Sequence, residues 1–463
     1  MFASIQALLE ILDRANTGPV CKAIDWDSKL IPSEAMRKLK EHGLLKTFNP
    51  ENPINTDNGL ANEFYKAGYE LAIELGMYCP DTERIIKISE EELKESIKNS
   101  LSEIKLGEGL DEVIMKHRKP EDPFKPLWVS PLAELVTEEY YIMITQGIVQ
   151  NREVDILQGC SLETIFGKPI KAGTPYETLA GFYNAKLTKE ALWRAGRPGM
   201  PCEAVMVSPT VFGQLGGFGI PNGFDPKKDI ALVLLPPELK TTYMAFHKIA
   251  HAINCGSKIY AGFESFVGGY AGPPEATAIV AIANMLLSPI IRKATYFGVA
   301  IQDIRCGGNS NREGVWTTSI IQQALSMNTN LLSNSVTTEL AGPCTEMLLY
   351  ECAVTAMNDS VSGVSVSRGP RTLTGRYANH ITPLECKFGG EVVKACAGMK
   401  RSHANEIVKA IMPKYEEKLK NPPKGKPFQE CYDIKALKPS KEWLEIYINV
   451  KKELIELGCP IPL

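Results

Sequence analysis

From about Leu127 onward, short apolar runs alternate with helix-period patterns and glycine-rich turns over about 270 residues. No other feature of the chain constrains its fold as tightly. The expected strands lie at 140–144, 204–208, 230–235, 259–263 and 296–304, and the expected helices at 175–195, 239–254 and 274–288. A strand that feeds a helix and then another strand builds a parallel sheet, because parallel neighbours are joined by long crossovers. The length fits a (β/α)8 barrel of about 250 residues. Periodicity alone does not separate that closed barrel from an open doubly wound sheet.

The two ends read as helices. Ile5, Leu8, Leu9 and Leu12 share one face. Ser89 with Glu92 has the spacing of a capping box, and Leu93, Ile97, Leu101 and Ile104 follow as an apolar stripe. The proline-rich run from Lys119 to Pro126 marks a boundary. Near the end, Leu444, Tyr447, Ile448 and Leu454 form one face of a final helix with Gly458 as its stop. The division expected is a helical extension over 1–125, a barrel over 126–400 and a C-terminal helical extension over 401–463.

Composition narrows the partners. A net charge of −3 over 463 residues argues against a nucleic-acid surface or an acidic membrane. No apolar run is expected to reach the roughly 18 to 20 residues that span a bilayer. The first residues carry Glu10 and Asp13 and no basic leader, so no signal peptide is expected. Twelve cysteines without a CxxC pair suit reduced thiols and a cytoplasmic setting.

Several motifs point to one family. The run Ala195-Gly196-Arg197-Pro198-Gly199-Met200 is joined by 64–70, 174–180 and 268–272, and then by Asn311-Arg312-Glu313, 341–347 and 428–435. In order and spacing these resemble the monomethylamine methyltransferases of methanogens. The resemblance implies a closed TIM barrel with helical extensions and a homo-oligomer, with a hexamer expected. It also implies transfer of a methyl group from a methylated amine to cobalt(I) of a separate corrinoid protein. No DxHxxG run occurs, so the corrinoid is expected to arrive on that partner rather than be bound permanently.

In that family pyrrolysine stands three residues after the methionine matching Met200, and here that position is Glu203. A carboxylate cannot form the imine adduct. It can hold a cation, or deliver a proton if burial raises its pKa. An ordinary ion-paired glutamate is the plain alternative. Cys202 beside it suits a thiolate nucleophile, a zinc ligand or, as the favoured reading, a small buried apolar residue. The resemblance places Leu232, Gly262 and Val336 where the family carries acidic and amide groups, so a rebuilt pocket is expected. Glu264 and Glu339 are candidate replacements, against the alternative of solvent-exposed loop glutamates. Tyr270, Phe263 and Phe266 with Glu264 would wall a quaternary ammonium group.

Asp303, Arg305, Asn311, Arg312 and Glu313 cluster after the 296–304 strand, where barrel enzymes keep their sites. They suit an anionic substrate group, the phosphate and amide edges of a corrinoid, or a structural Arg–Glu pair through Glu313. The expectation is that Glu203, Glu264, Tyr270, Asn311, Arg312 and Glu339 converge on one cavity. His247, His251 and Cys255 recur at helical spacing, but residue 248 is lysine rather than the glutamate of HExxH, and no metal is expected. The glycines of 213–219 read as a loop, a possible lid. A methyltransferase using a quaternary or otherwise activated amine is the favoured function. The alternatives are a zinc-assisted thiol or methoxyl demethylase and a non-catalytic subunit that binds an amine or a corrinoid protein.

Overall fold

The computed structural model describes residues 2–207 and 210–463. Its centre is a parallel barrel. The strands are β1 (Leu127–Val129), β2 (156–157), β3 (Glu203–Ala204), β4 (Ile230–Leu235), β5 (Lys258–Val267), β6 (Tyr296–Asp303), β7 (Ser333–Val336) and β8 (Val366–Arg368). Seven of them form a continuous sheet in the order β1-β8-β7-β6-β5-β4-β3. The short β2 closes it, since Ile156 bridges Val129 on one side and Leu157 bridges Cys202 on the other. The Ser130 N–H donates to Ile156 O at 3.1 Å, and the Glu203 N–H donates to Leu157 O at 2.9 Å. Closure leaves no unpaired edge.

Each strand is followed by a helix: α1 (Glu138–Val149), α2 (Pro175–Arg194), α3 (Val211–Gly217), α4 (Tyr243–Cys255), α5 (Pro274–Ile291), α6 (Arg312–Asn328), α7 (Glu346–Ser362) and α8 (Pro383–Ala395). Local chemistry sets their ends. Thr242 caps α4 by accepting from the Ala245 N–H at 3.1 Å, and Gly256 closes it at φ 70°, which glycine adopts without steric cost. Helix α5 is 18 residues long and, by length and composition, apolar enough to cross a membrane, although Glu275, Asn284 and Ser288 interrupt its apolar run. It is a core helix, covered by strands on one side and by the helix Asn58–Leu75 on the other.

Four sequence expectations are corrected. Gly213, Gly216 and Gly217, read as part of a loop, lie in helix α3, which Thr210 caps by accepting from the Phe212 N–H. Residues 140–144 belong to α1, not to a strand. Their β-branched and aromatic content suggested β structure. The buried residues Tyr141, Ile144, Thr145 and Ile148 instead follow helical spacing after Glu138 and Glu139 in the first turn. The strand expected at 204–208 ends at Ala204, and Ser208 lies outside the described residues. The stripe through Leu101 and Ile104 is not continuous, because the helix Glu90–Asn99 stops before them. Its capping box between Ser89 and Glu92 is formed as expected.

Ile104 belongs instead to a hairpin, Glu103–Leu106 with Val113–Lys116, that plugs the N-terminal end of the barrel. Ile104, Leu106 and Met115 share one buried cluster with Leu127, Ile156, Ile230, Tyr296 and Leu332. The Gly107 N–H donates to Lys228 O, just ahead of β4. The proline-rich boundary is fastened too: the Arg118 guanidinium donates to the carbonyls of Ser360 and Val364 at 3.0 and 2.9 Å. The barrel interior is therefore plugged at its N-terminal end and opens at its C-terminal mouth.

Candidate active site

Inward-facing side chains fill the barrel in layers. Above the apolar plug lies a polar layer built on Glu203. Both oxygens of its carboxylate meet the guanidinium of Arg368 across the barrel, at 2.6 and 2.5 Å. The hydroxyl of Tyr296 donates to the same carboxylate. The Arg368 guanidinium lies 3.8 Å above the ring of Tyr260, whose hydroxyl donates to Asn334 Oδ1 at 3.0 Å. Glu203 and Arg368 are buried. Burial alone would weaken the protonated guanidinium, but the facing carboxylate holds its pKa above the ordinary arginine value. Burial also pushes Tyr260 up to about 12, so it stays a neutral phenol.

Directly above this layer is a cavity of about 300 Å³. Tyr260 and Arg368 face it from below. Leu132, Leu234, Phe263, Ala300 and Val336 give it an apolar wall. Its other polar groups are Gln158, Glu264 and Arg371. Glu264 accepts from Gln302 Nε2 at 3.2 Å and stands 3.6 Å from Arg371 Nη1. A small apolar pocket with a few convergent polar groups is the usual form of a small-molecule site.

The structure does not bring the predicted residues together in one cavity. Glu264 lines the mouth. Glu203 does not: it lies beneath the floor, with its charge met by Arg368. Cys202 is buried and its thiol is pushed far up, by burial first and by Asp229 second, so it matches the apolar alternative. Glu339 is not an exposed loop residue. It is fully buried behind the mouth, accepting from the Arg371 N–H at 2.9 Å and from Thr355 Oγ1 at 3.3 Å. Burial, reinforced by Glu351, lifts it to about 8. Tyr270 is half exposed, with Lys240 5.3 Å over its ring, and neither it nor Phe266 lines the cavity. Gly262 and Val336 do line it, while Leu232 lies in the plug cluster.

The cluster after β6 forms a second cavity of about 280 Å³. Its charges are locked to one another. Arg305 Nε donates to Asp303 at 2.8 Å, and Arg305 Nη2 is 2.8 Å from Glu313. Asn311 Nδ2 donates to Asp303 at 2.6 Å. Arg312 donates to Glu416 and to Pro50 O, both at 2.6 Å, tying α6 to both extensions. The structural Arg–Glu alternative describes this cluster. On α4, His247 is exposed, while His251 meets Gln214 at 3.1 Å and Cys255 at 3.5 Å. Among the described residues, no group of three or more His, Cys, Asp or Glu side chains is set to hold a metal.

Sequence reasoning missed Arg368, Arg371, Tyr260, Tyr296 and Gln158. A signal was present in Val364-Ser365-Val366-Ser367-Arg368-Gly369-Pro370, where a lone arginine ends a short apolar run.

A closed parallel barrel with a small polar-and-apolar cavity at its C-terminal mouth is an enzyme architecture. The chain belongs to the monomethylamine methyltransferase MtmB family, whose model matches residues 6–459. It is 33% identical over 450 residues to monomethylamine methyltransferase MtmB of Methanosarcina mazei, covering 97% of both chains. It is 32% identical over 455 residues to MtmB3 of Methanosarcina barkeri, again covering 97% of each. The crystal structure of the Methanosarcina barkeri enzyme superposes with a TM-score of 0.94 at 32% identity, covering 98% of each chain. A crystal structure of a hydroxylamine MtmB complex matches with the same score and coverage at 31% identity.

Proposed function

We propose that this chain transfers a methyl group from a small methylated amine to cobalt(I) of a corrinoid carried by a separate protein, without a pyrrolysine. The carrying observation is the 300 Å³ apolar cavity at the barrel mouth, in a chain that matches the methyltransferase family along its length. The cavity is too small to enclose a corrinoid macrocycle, so the acceptor meets the substrate at the open rim. The corrinoid supplies the nucleophile. The protein's share is orientation and exclusion of water, and orientation can be worth about 7–11 kcal/mol of a barrier.

Leu132, Leu234, Phe263, Ala300 and Val336 pack around the methyl groups, and Glu264 supplies a carboxylate for the ammonium. Glu203 positions Arg368 rather than touching substrate. A quaternary amine suits this wall, because its nitrogen leaves neutral and needs no proton. Methylamine, which presents its single methyl only when correctly oriented, should react slowly. A homo-oligomer is part of the same reading. It is supported by exposed Phe166, Leu179, Phe182, Phe212 and Leu215 on the hairpin at 164–169 and on the packed helices α2 and α3.

The test is methylation of the organism's own reduced corrinoid protein, followed by absorbance across a panel of methylated amines. Rapid methylation by a quaternary amine is expected. No methylation by any member of the panel would overturn the proposal.

A further inference from the structure

The mouth holds charge of both signs, and its cation is loosely held. Arg371 Nη1 stands 3.6 Å from Glu264, beyond hydrogen-bond distance, and Arg371 Nε is buried without a partner. Two buried carboxyl groups lie nearby. Burial lifts Glu339 to about 8, so it is neutral at pH 7, and burial also raises Glu134 well above its ordinary value although the Arg371 charge pulls it back down. The Nε of Arg368 is also buried without a partner. So is the Oε1 of Gln158, a side chain only 4% exposed that lines the same cavity. Buried polar groups left open are costly, and three around one small cavity point to a polar ligand group that completes them.

Guanidinium donors in a fork match a carboxylate. The Gln158 amide can turn its N–H₂ to the same group, because the two ends of an amide are interchangeable in shape. A simple methylated cation would leave these donors open and would bring a second positive charge up to Arg371 without offering it a counter-charge. We propose that the substrate is a zwitterion, an N-methylated amino acid whose carboxylate rests on Arg371 and whose methylated ammonium lies against Glu264 and the apolar wall. This names the substrate class of the methyl-transfer site and rests on that reading for the fate of the methyl group. In the transfer, the C–N bond breaks with its electron pair left on nitrogen, and the methyl joins cobalt through the pair that cobalt(I) supplies. The amine leaves uncharged while its carboxylate stays on Arg371.

The test is calorimetric titration of the full chain with matched probes: N,N,N-trimethylglycine against tetramethylammonium, and N-methylglycine against methylammonium. The carboxylated member of each pair should bind at least tenfold more tightly. Arg371→Gln should erase that preference, and Arg371→Lys, which keeps the charge but not the fork, should retain part of it. Glu264→Gln should weaken both members of a pair by a similar factor. Equal affinity within the pairs, a preference that survives Arg371→Gln, or no binding of any probe would overturn the inference. If the preference exists and depends on Arg371 but the corrinoid is not methylated, the zwitterion site stands and the methyl-transfer reading fails.

Discussion

Two cavities of nearly equal volume open at the C-terminal end of the barrel, one over Tyr260 and Arg368 and the other beside Arg305 and Arg312. They treat their charges in opposite ways. In the second, every carboxylate meets a guanidinium or an amide of the same cluster, and the Arg312–Glu416 pair ties α6 to the C-terminal segment. In the first, the tight pair is buried under the floor, and the groups that face the space, Glu264, Arg371 and Gln158, are loosely met or open. Charges that satisfy one another fasten elements. Charges held apart at an open mouth are available to a ligand.

The sharpest way to break this contrast is to remove the floor. Glu203→Ala leaves Arg368 buried and unpaired, and breaking such a pair costs about 3–5 kcal/mol. Chemical denaturation should show a loss of that size. The paired replacement Glu203→Leu with Arg368→Met should lose far less. A simple surface role for Glu203 would predict a negligible loss in both.

The buried carboxyl groups behind the mouth give the next largest effect. Glu339 has its pKa raised to about 8 in the folded chain, against about 4.5 when unfolded. The folded state therefore binds the extra proton between those values. Its contribution to stability is present below pH 4.5 and is lost as pH rises toward 8, at up to about 1.4 kcal/mol per pH unit. Denaturation curves across that range should show a shallower decline for Glu339→Gln than for wild type.

Arg312→Ala tests the locked cavity. Its pair with Glu416 is partly solvated, so a loss of about 1 kcal/mol or less is expected, with methyl transfer unchanged. Tyr270→Ala should do least, within about 0.5 kcal/mol in stability, because the ring is half exposed and stands outside the mouth. A large loss of substrate binding in that variant would redraw the cavity's wall.

The barrel was legible because its long strands β4, β5 and β6 carry apolar runs at the expected places. Strands β1, β2, β7 and β8 were not, being two to four residues long and, in Ser333-Asn334-Ser335-Val336, largely polar. They hold their places by pairing with neighbours, which no local pattern records. Of the site, Glu264 was legible from its position beside Gly268 and Gly269. The role of Glu203 was not, because its partner Arg368 is 165 residues away and only barrel closure sets the two face to face. The second cluster was legible as neighbours, since it is contiguous in sequence, but not as a cavity separate from the barrel mouth. Whether its charges were free or locked depended on Glu416, which is distant in the chain.

The most direct test fills each cavity in turn and follows methylation of the reduced corrinoid protein. Ala300→Phe places a ring inside the mouth cavity, and Leu419→Trp does the same in the second. With both variants folded by thermal melt, the first should abolish methyl transfer and the second should leave it at the wild-type rate. Full transfer by Ala300→Phe, or its loss in Leu419→Trp alone, would contradict the assignment of the barrel mouth as the substrate site.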